Sequence, residues 1–250
     1  MSTRNAHYLS AMGIQPWALR AAPRVSGQCS PVAADAAAEE IALANMAPAP
    51  VAAGHVTAGA RADVAEMDWP RLEAAVAACR RCALAEGRTQ TVFGVGERTA
   101  DWMVVGEGPG AEEDRRGEPF VGRAGRLLDN MFVAIGLRRE AVYIANVVKC
   151  RPPGNRDPQP EEVSACGAYL DRQIALVQPR LILALGRFAA QSLLQTDTPV
   201  GQLRGRVHRY AGTIPLIVTY HPAYLLRSPE QKARAWDDLR LARAQIAGDG

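Results

Sequence analysis

Four short stretches, Trp102 to Val105, Val142 to Val148, Arg180 to Leu185 and Leu216 to Tyr220, are apolar in runs rather than in alternation. A strand tolerates that pattern only when both of its faces are covered. Between and after them, Ala124 to Ile135, Pro160 to Val177, Phe188 to Leu194 and Pro229 to Ile246 carry helical spacing. Asp68 ahead of Trp69 and Pro70 reads as an N-cap, with Leu72, Val76 and Cys79 continuing one helix to a stop near Gly87. Strands alternating with helices in this way predict an α/β domain whose parallel sheet is covered on both sides. In such folds sites form at the carboxyl ends of the strands.

That texture begins at Met67 and gives a folded domain over 67–250. Residues 21–66 hold seventeen alanines and no Phe, Trp or Tyr, too little to offset the entropy of ordering them, and so read as a flexible linker. Residues 1–20 end in a cluster of Tyr8, Leu9, Met12, Ile14, Trp17 and Leu19, the composition of a docking peptide. The first thirty residues lack the basic start and apolar run of a secretory signal, and no eighteen-residue uncharged apolar stretch occurs. A cytoplasmic chain without a membrane partner is expected, as a monomer. The net charge of +3 is compatible with a polyanionic partner without demanding one.

Three loops follow predicted strands. The first runs from Gly106, Glu107 and Gly108 through Glu112, Glu113 and Asp114 to Phe120. It fits the dinucleotide pattern GxGxxA, but its carboxylates would face pyrophosphate. Glycines such as Gly106 and Gly108 instead let backbone approach a flat ligand, while carboxylates hold a water or take its proton. The second loop contains Asn146, an amide that interrupts an apolar strand, suited either to the edge of a pyrimidine or to neighbouring backbone. The third opens on His221, which alone reads equally as a buried structural histidine.

Cys79 and Cys82 form CxxC, and Cys150 and Cys166 follow as singles. Four thiolates suit zinc or an iron-sulfur cluster, and one pair plus two singles favours the cluster. Cys29 has no evident partner.

GEGPGAEED with PFVG, NVVKCRPPGNR, HPAYLLR and the four cysteines together resemble the family 4 uracil-DNA glycosylases. The resemblance implies a three-layer α/β/α fold around a central four-stranded parallel sheet, preceded here by a disordered N-terminal extension. It further implies a 4Fe-4S cluster on Cys79, Cys82, Cys150 and Cys166, and excision of uracil from single- or double-stranded DNA. The covalently crosslinking branch carries a reactive His after its second motif, and Arg151 to Arg156 contains none.

By the same resemblance Phe120 stacks on the flipped base, Asn146 reads its edge, Leu225 fills the vacated stack and His221 donates to uracil O2. Where family 1 enzymes place a water-positioning Asp, this chain has Gly108, which leaves Glu107, Glu113 and Asn155 as candidates. Arg123, Arg151 and Arg227 are the expected phosphate contacts. Two other readings remain: a noncatalytic DNA-binding or polymerase-associated member of the fold, and a cysteine-metal or nucleotide-binding redox protein. Residues 7–20 are also similar to the start of the psi subunit of bacterial DNA polymerase III, which makes the chi subunit an expected partner.

Overall fold

The computed structural model of the chain describes residues 63–247. The segment expected to be a docking peptide, Cys29 and the expected linker up to residue 62 lie outside the described residues. Val64 is fully buried against Leu72 and Val76, so the packed domain starts inside the stretch read as linker. One valine carries too weak a signal to stand out from its alanine-rich surroundings.

A six-stranded sheet organises the domain, in the spatial order β1-β3-β2-β4-β6-β5. Its strands are β1 (Val95–Gly96), β2 (Trp102–Gly106), β3 (Tyr143–Asn146), β4 (Leu181–Leu185), β5 (Val207–Tyr210) and β6 (Ile214–Thr219). The four expected strands, β3, β2, β4 and β6, pair in parallel, and β1 and β5 close the two edges antiparallel. The edge strands escape sequence reading for separate reasons. β1 has two residues, and β5 alternates between exposed and half-buried positions, so neither carries an apolar run.

Successive strand residues feed opposite cores, as the period of two requires. Met103, Val105, Ile182 and Ala184 face one side, under α1 (Trp69–Ala77), α5 (Pro160–Val177) and α6 (Gly186–Leu194). Trp102, Val104, Leu181 and Leu183 face the other, under α4 (Arg123–Ala134), α8 (Pro222–Arg227) and α9 (Lys232–Ala247). Three short helices, α2 (Leu84–Gly87), α3 (Ala111–Arg116) and α7 (Val200–Leu203), fill the connections. The result is the expected three-layer arrangement.

Asp68 caps α1 by accepting from the Arg71 amide at 3.1 Å. The helix does not run on to Gly87. It ends at Ala77, and the Cys79 amide bonds back to the Val76 carbonyl, so Cys79 and Cys82 lie in the loop before α2 rather than on one helical face. Helical apolar spacing continued in the sequence because Leu84 also points into the core.

The carboxyl end of β6 is fixed from below. Asp238 of α9, fully buried, accepts from Arg204 at 2.9 and 3.0 Å, from the Gly205 amide and from the Thr219 hydroxyl. Removing one partner of such a pair strands the other charge. Asp238→Ala is therefore expected to lower unfolding free energy by about 3 kcal/mol in denaturant titration.

Candidate active site

In-register pairing sets Gly106 beside Asn146, and Leu185 beside Thr219, so four parallel strands end at one level. Beyond them lies a cavity of about 730 Å³. Glu107, Gly108, Glu113, Phe120, Asn146, Asn155, His221 and Arg227 all line it. Eight of the residues singled out from sequence are thus brought together by strand ends far apart in the chain.

Phe120 sits on a strained backbone, with φ of 55°, a region that non-glycine residues rarely occupy. Glu113 holds it there. One oxygen of its carboxylate accepts from the amides of Val121 and Gly122 at 2.9 and 3.0 Å. The next helix presses from the other side, since a Cβ on Gly125 would lie 1.7 Å from the Phe120 carbonyl oxygen. At the far end of the ring, a Cβ on Gly106 would meet Phe120 Cζ at 2.6 Å and Asn146 Oδ1 at 2.5 Å. Gly106 does not line the cavity itself; it makes the room in which Phe120 and Asn146 meet.

Asn146 is 1% exposed, and its Oδ1 has no hydrogen-bond partner within the protein. A buried acceptor left unpaired is costly unless something supplies a donor. The His221 ring lies 5.5 Å from that of Phe120 at an interplanar angle of 31°. Its Nδ1 accepts from the Ala223 amide at 3.1 Å, which leaves the proton of the neutral ring on Nε2. Burial, then the charge of Arg227, pull its pKa down to about 4, against an opposing pull from Glu113. At neutral pH His221 is an uncharged donor.

Glu107 is pushed up to about 7, first by burial and then by the charge of Asp157, with Arg187 pulling the other way. Among the described residues it makes no side-chain hydrogen bond, whereas one oxygen of Glu113 is committed to two amides. The two carboxylates that sequence could not separate therefore differ in availability. Asn155 reaches the cavity from the loop after β3, with its Oδ1 accepting from Arg151 Nε at 2.8 Å.

Arg227 lines the cavity, while Arg123 and Arg151 do not. Leu225 contradicts its expected role as a wedge. It is 0% exposed within the core that holds Leu128 and Leu239, because the short helix α8 turns it inward, whereas Leu226 is 39% exposed. Sequence reading also missed Arg156, Asp157, Arg187, Phe188, Tyr220 and Tyr224 on the cavity wall. Gly186, Arg187 and Phe188 follow β4, the third parallel strand in chain order, and the strand-end rule extended to that strand would have marked them.

Cys79, Cys82, Cys150 and Cys166 line a second cavity on the other side of the loop after β3, with Arg88, Lys149 and Tyr169. Arg88 Nη1 donates to Cys150 Sγ at 3.1 Å, and the Lys149 amide to Cys166 Sγ at 3.3 Å. Burial pushes the Cys166 thiol up to about 12 and raises Cys82 and Cys150 as well. Among the described residues no three His, Cys, Asp or Glu side chains are grouped closely enough for a single metal ion. Four thiols around one space, with Arg88 donating to one of them, are a donor set of the kind that holds a metal group.

Residues 93–240 match the model of the uracil DNA glycosylase superfamily. The chain is 46% identical to the type-4 uracil-DNA glycosylase of Archaeoglobus fulgidus over 66% of its own length and 86% of that protein's. It is 43% identical to the type-4 enzyme of Thermotoga maritima, covering 69% of this chain and 91% of that one. Similarity at 34% identity extends to a type-5 uracil-DNA glycosylase of Pyrobaculum aerophilum, over 52% and 64% of the two chains.

Removing the Glu113 clamp tests how Phe120 is held. Glu113→Ala should accelerate hydrogen exchange at the Val121 and Gly122 amides by about tenfold, the equivalent of one lost hydrogen bond, and leave the strand amides unchanged.

Proposed function

We propose, from the premise that this chain belongs to the uracil-DNA glycosylase superfamily, that the cavity beyond β2, β3, β4 and β6 is where it hydrolyses the N-glycosidic bond of uracil in DNA. The protein is a uracil-DNA glycosylase, and the reaction leaves free uracil and an abasic site. The observation that carries the placement is the unpaired, buried Oδ1 of Asn146 beside the Phe120 ring. An orphaned acceptor next to an aromatic face suits a flat base that offers a ring N-H. Uracil presents one at N3, and cytosine presents a bare acceptor there.

As the bond from C1′ to N1 breaks, its electron pair passes to uracil and spreads onto O2, leaving positive charge on the sugar. Neutral His221 donates from Nε2 to that oxygen, and a donor already in place is worth about 3 kcal/mol to such a step. Water adds to C1′ and gives up a proton. Glu107 takes that proton, since its pKa near 7 lets it be ionised and still basic. Glu113 positions Phe120. Arg227 meets a phosphate, and exposed Leu226, rather than Leu225, enters the vacated stack.

We propose further that Cys79, Cys82, Cys150 and Cys166 hold a 4Fe-4S cluster. When bound it supplies a cross-link and no redox chemistry, because glycoside hydrolysis transfers no electrons. Arg88, which donates to Cys150 Sγ, stands where its negative charge would need compensation.

Two measurements test these assignments. With uracil release from a labelled single-stranded oligonucleotide as the readout, the rate should rise with pH through about 7 as Glu107 loses its proton. Below that pH the carboxyl is protonated and cannot accept another, so Glu107→Gln should slow release and flatten the rise. An unchanged profile removes Glu107 from the step. The protein purified without oxygen should be brown, with about four irons and broad absorbance near 400 nm. A colourless protein with one zinc overturns the cluster.

A further inference from the structure

Lys149 has no part in the chemistry above, yet it is a charged side chain only 1% exposed. Its ammonium donates to the main-chain oxygen of Asn146 at 2.8 Å and to Gln173 Oε1 at 2.6 Å. Gln173, also fully buried, is anchored in turn by donating to the Phe93 carbonyl at 2.9 Å and to the Tyr143 hydroxyl at 3.1 Å. Burying an ammonium among neutral acceptors is expensive, and a methionine would fill similar space without that cost. A lysine kept there needs a task that an apolar residue cannot perform.

The task is visible in what each end of the residue holds. Its own amide is tied to Cys166 Sγ, and its side chain turns back to the strand end that carries Asn146. Asn146 has little freedom to err: its Oδ1 would lie 2.5 Å from a Cβ on Gly106 and shares that space with the Phe120 ring. A rotation of the Asn146 peptide would carry its amide away from a base stacked on Phe120. We propose that Lys149 is a positioning residue for uracil selection, fixing the Asn146 peptide from inside the protein so that its side chain meets the uracil edge. The proposal rests on the reading of Asn146 given above and adds a residue that never touches the base.

Binding separates this role from general support of the fold. DNA carrying 2′-fluoro-2′-deoxyuridine resists cleavage, because fluorine opposes positive charge on the sugar, so affinity can be compared with the same strand carrying 2′-fluoro-2′-deoxycytidine. The holoenzyme should prefer the uracil strand by about tenfold or more. Lys149→Met, with metal content unchanged, should reduce that preference to below about threefold, and should add nothing to it in an Asn146→Ala background. A purely structural lysine would weaken both strands alike and leave the preference intact, and that result overturns the proposal, as does a loss that multiplies with Asn146→Ala. If Lys149→Met loses its metal or does not fold, Gln173→Met frees the ammonium from its second acceptor. Full preference in that variant overturns the proposal, and reduced preference that is again non-additive with Asn146→Ala supports it. If Asn146→Ala itself keeps full preference, the reading of Asn146 fails with it; loss in Asn146→Ala but not in Lys149→Met sinks only the role of Lys149.

Discussion

The contact between Gly106 at the end of β2 and Asn146 at the end of β3 is the point from which the cavity is built outward. Parallel pairing brings the two residues side by side, and only a residue without a Cβ leaves room for the Asn146 amide and the Phe120 ring together. Phe120 is then fixed in a strained conformation by two amides on Glu113 and by the close approach of Gly125. Each support comes from a different segment, so the strain is spread over contacts that no single loop could supply. A flat ligand meets a rigid slot rather than a loop that must order around it, which lowers the entropic cost of binding.

Burial shapes the chemistry of that slot by acting in opposite directions on two of its titratable groups. It drives the His221 imidazole toward its neutral form and the Glu107 carboxyl toward its protonated one. For His221 the outcome is a donor that carries no positive charge toward an already cationic sugar. For Glu107 it is a base strong enough to take a proton from water, at the cost of being ionised in only part of the population near neutrality. The pair formed by Arg187 and Asp157 sits over the same space at 2.7 Å, with side chains 54% and 66% exposed. An exposed pair of this kind contributes little to stability, and its two charges act in opposite directions on Glu107.

Much of this was legible in the residues, and the omissions have physical causes. Buried parallel strands announce themselves because both faces are apolar, which is why β2, β3, β4 and β6 were placed while the short or half-exposed β1 and β5 were not. The strand-end rule located Glu107, Asn146 and His221. Spacing alone could not separate Glu107 from Glu113, since the difference lies in which carboxylate finds backbone amides nearby. Nor could it orient α8, where a rotation of one residue decides whether Leu225 or Leu226 faces outward. The CxxC pair was recognised by composition and misplaced by periodicity, because apolar spacing survives a helix break when the residues after the break also enter the core.

The loop after β3 shows what the proposed metal group would do for a hydrolase while taking no part in hydrolysis. The segment from Cys150 to Gln159 has one 3₁₀ turn and no longer element of its own, yet it delivers Asn155, Arg156 and Asp157 to the cavity wall. A connection so exposed would sample many conformations if tied only at its ends. Its far end is locked by Glu162 of α5, which accepts twice from Arg156 and once from the Gln159 amide. Its near end is Cys150, flanked by buried Lys149 and facing Cys166 across the second cavity. Joining the thiols there would close the near end as Glu162 closes the far one, and so restrain Asn155, Arg156 and Asp157 on the cavity wall between them. A cross-link placed at that end restrains the wall of the active site without entering it, a task that geometry alone defines and that needs no electron.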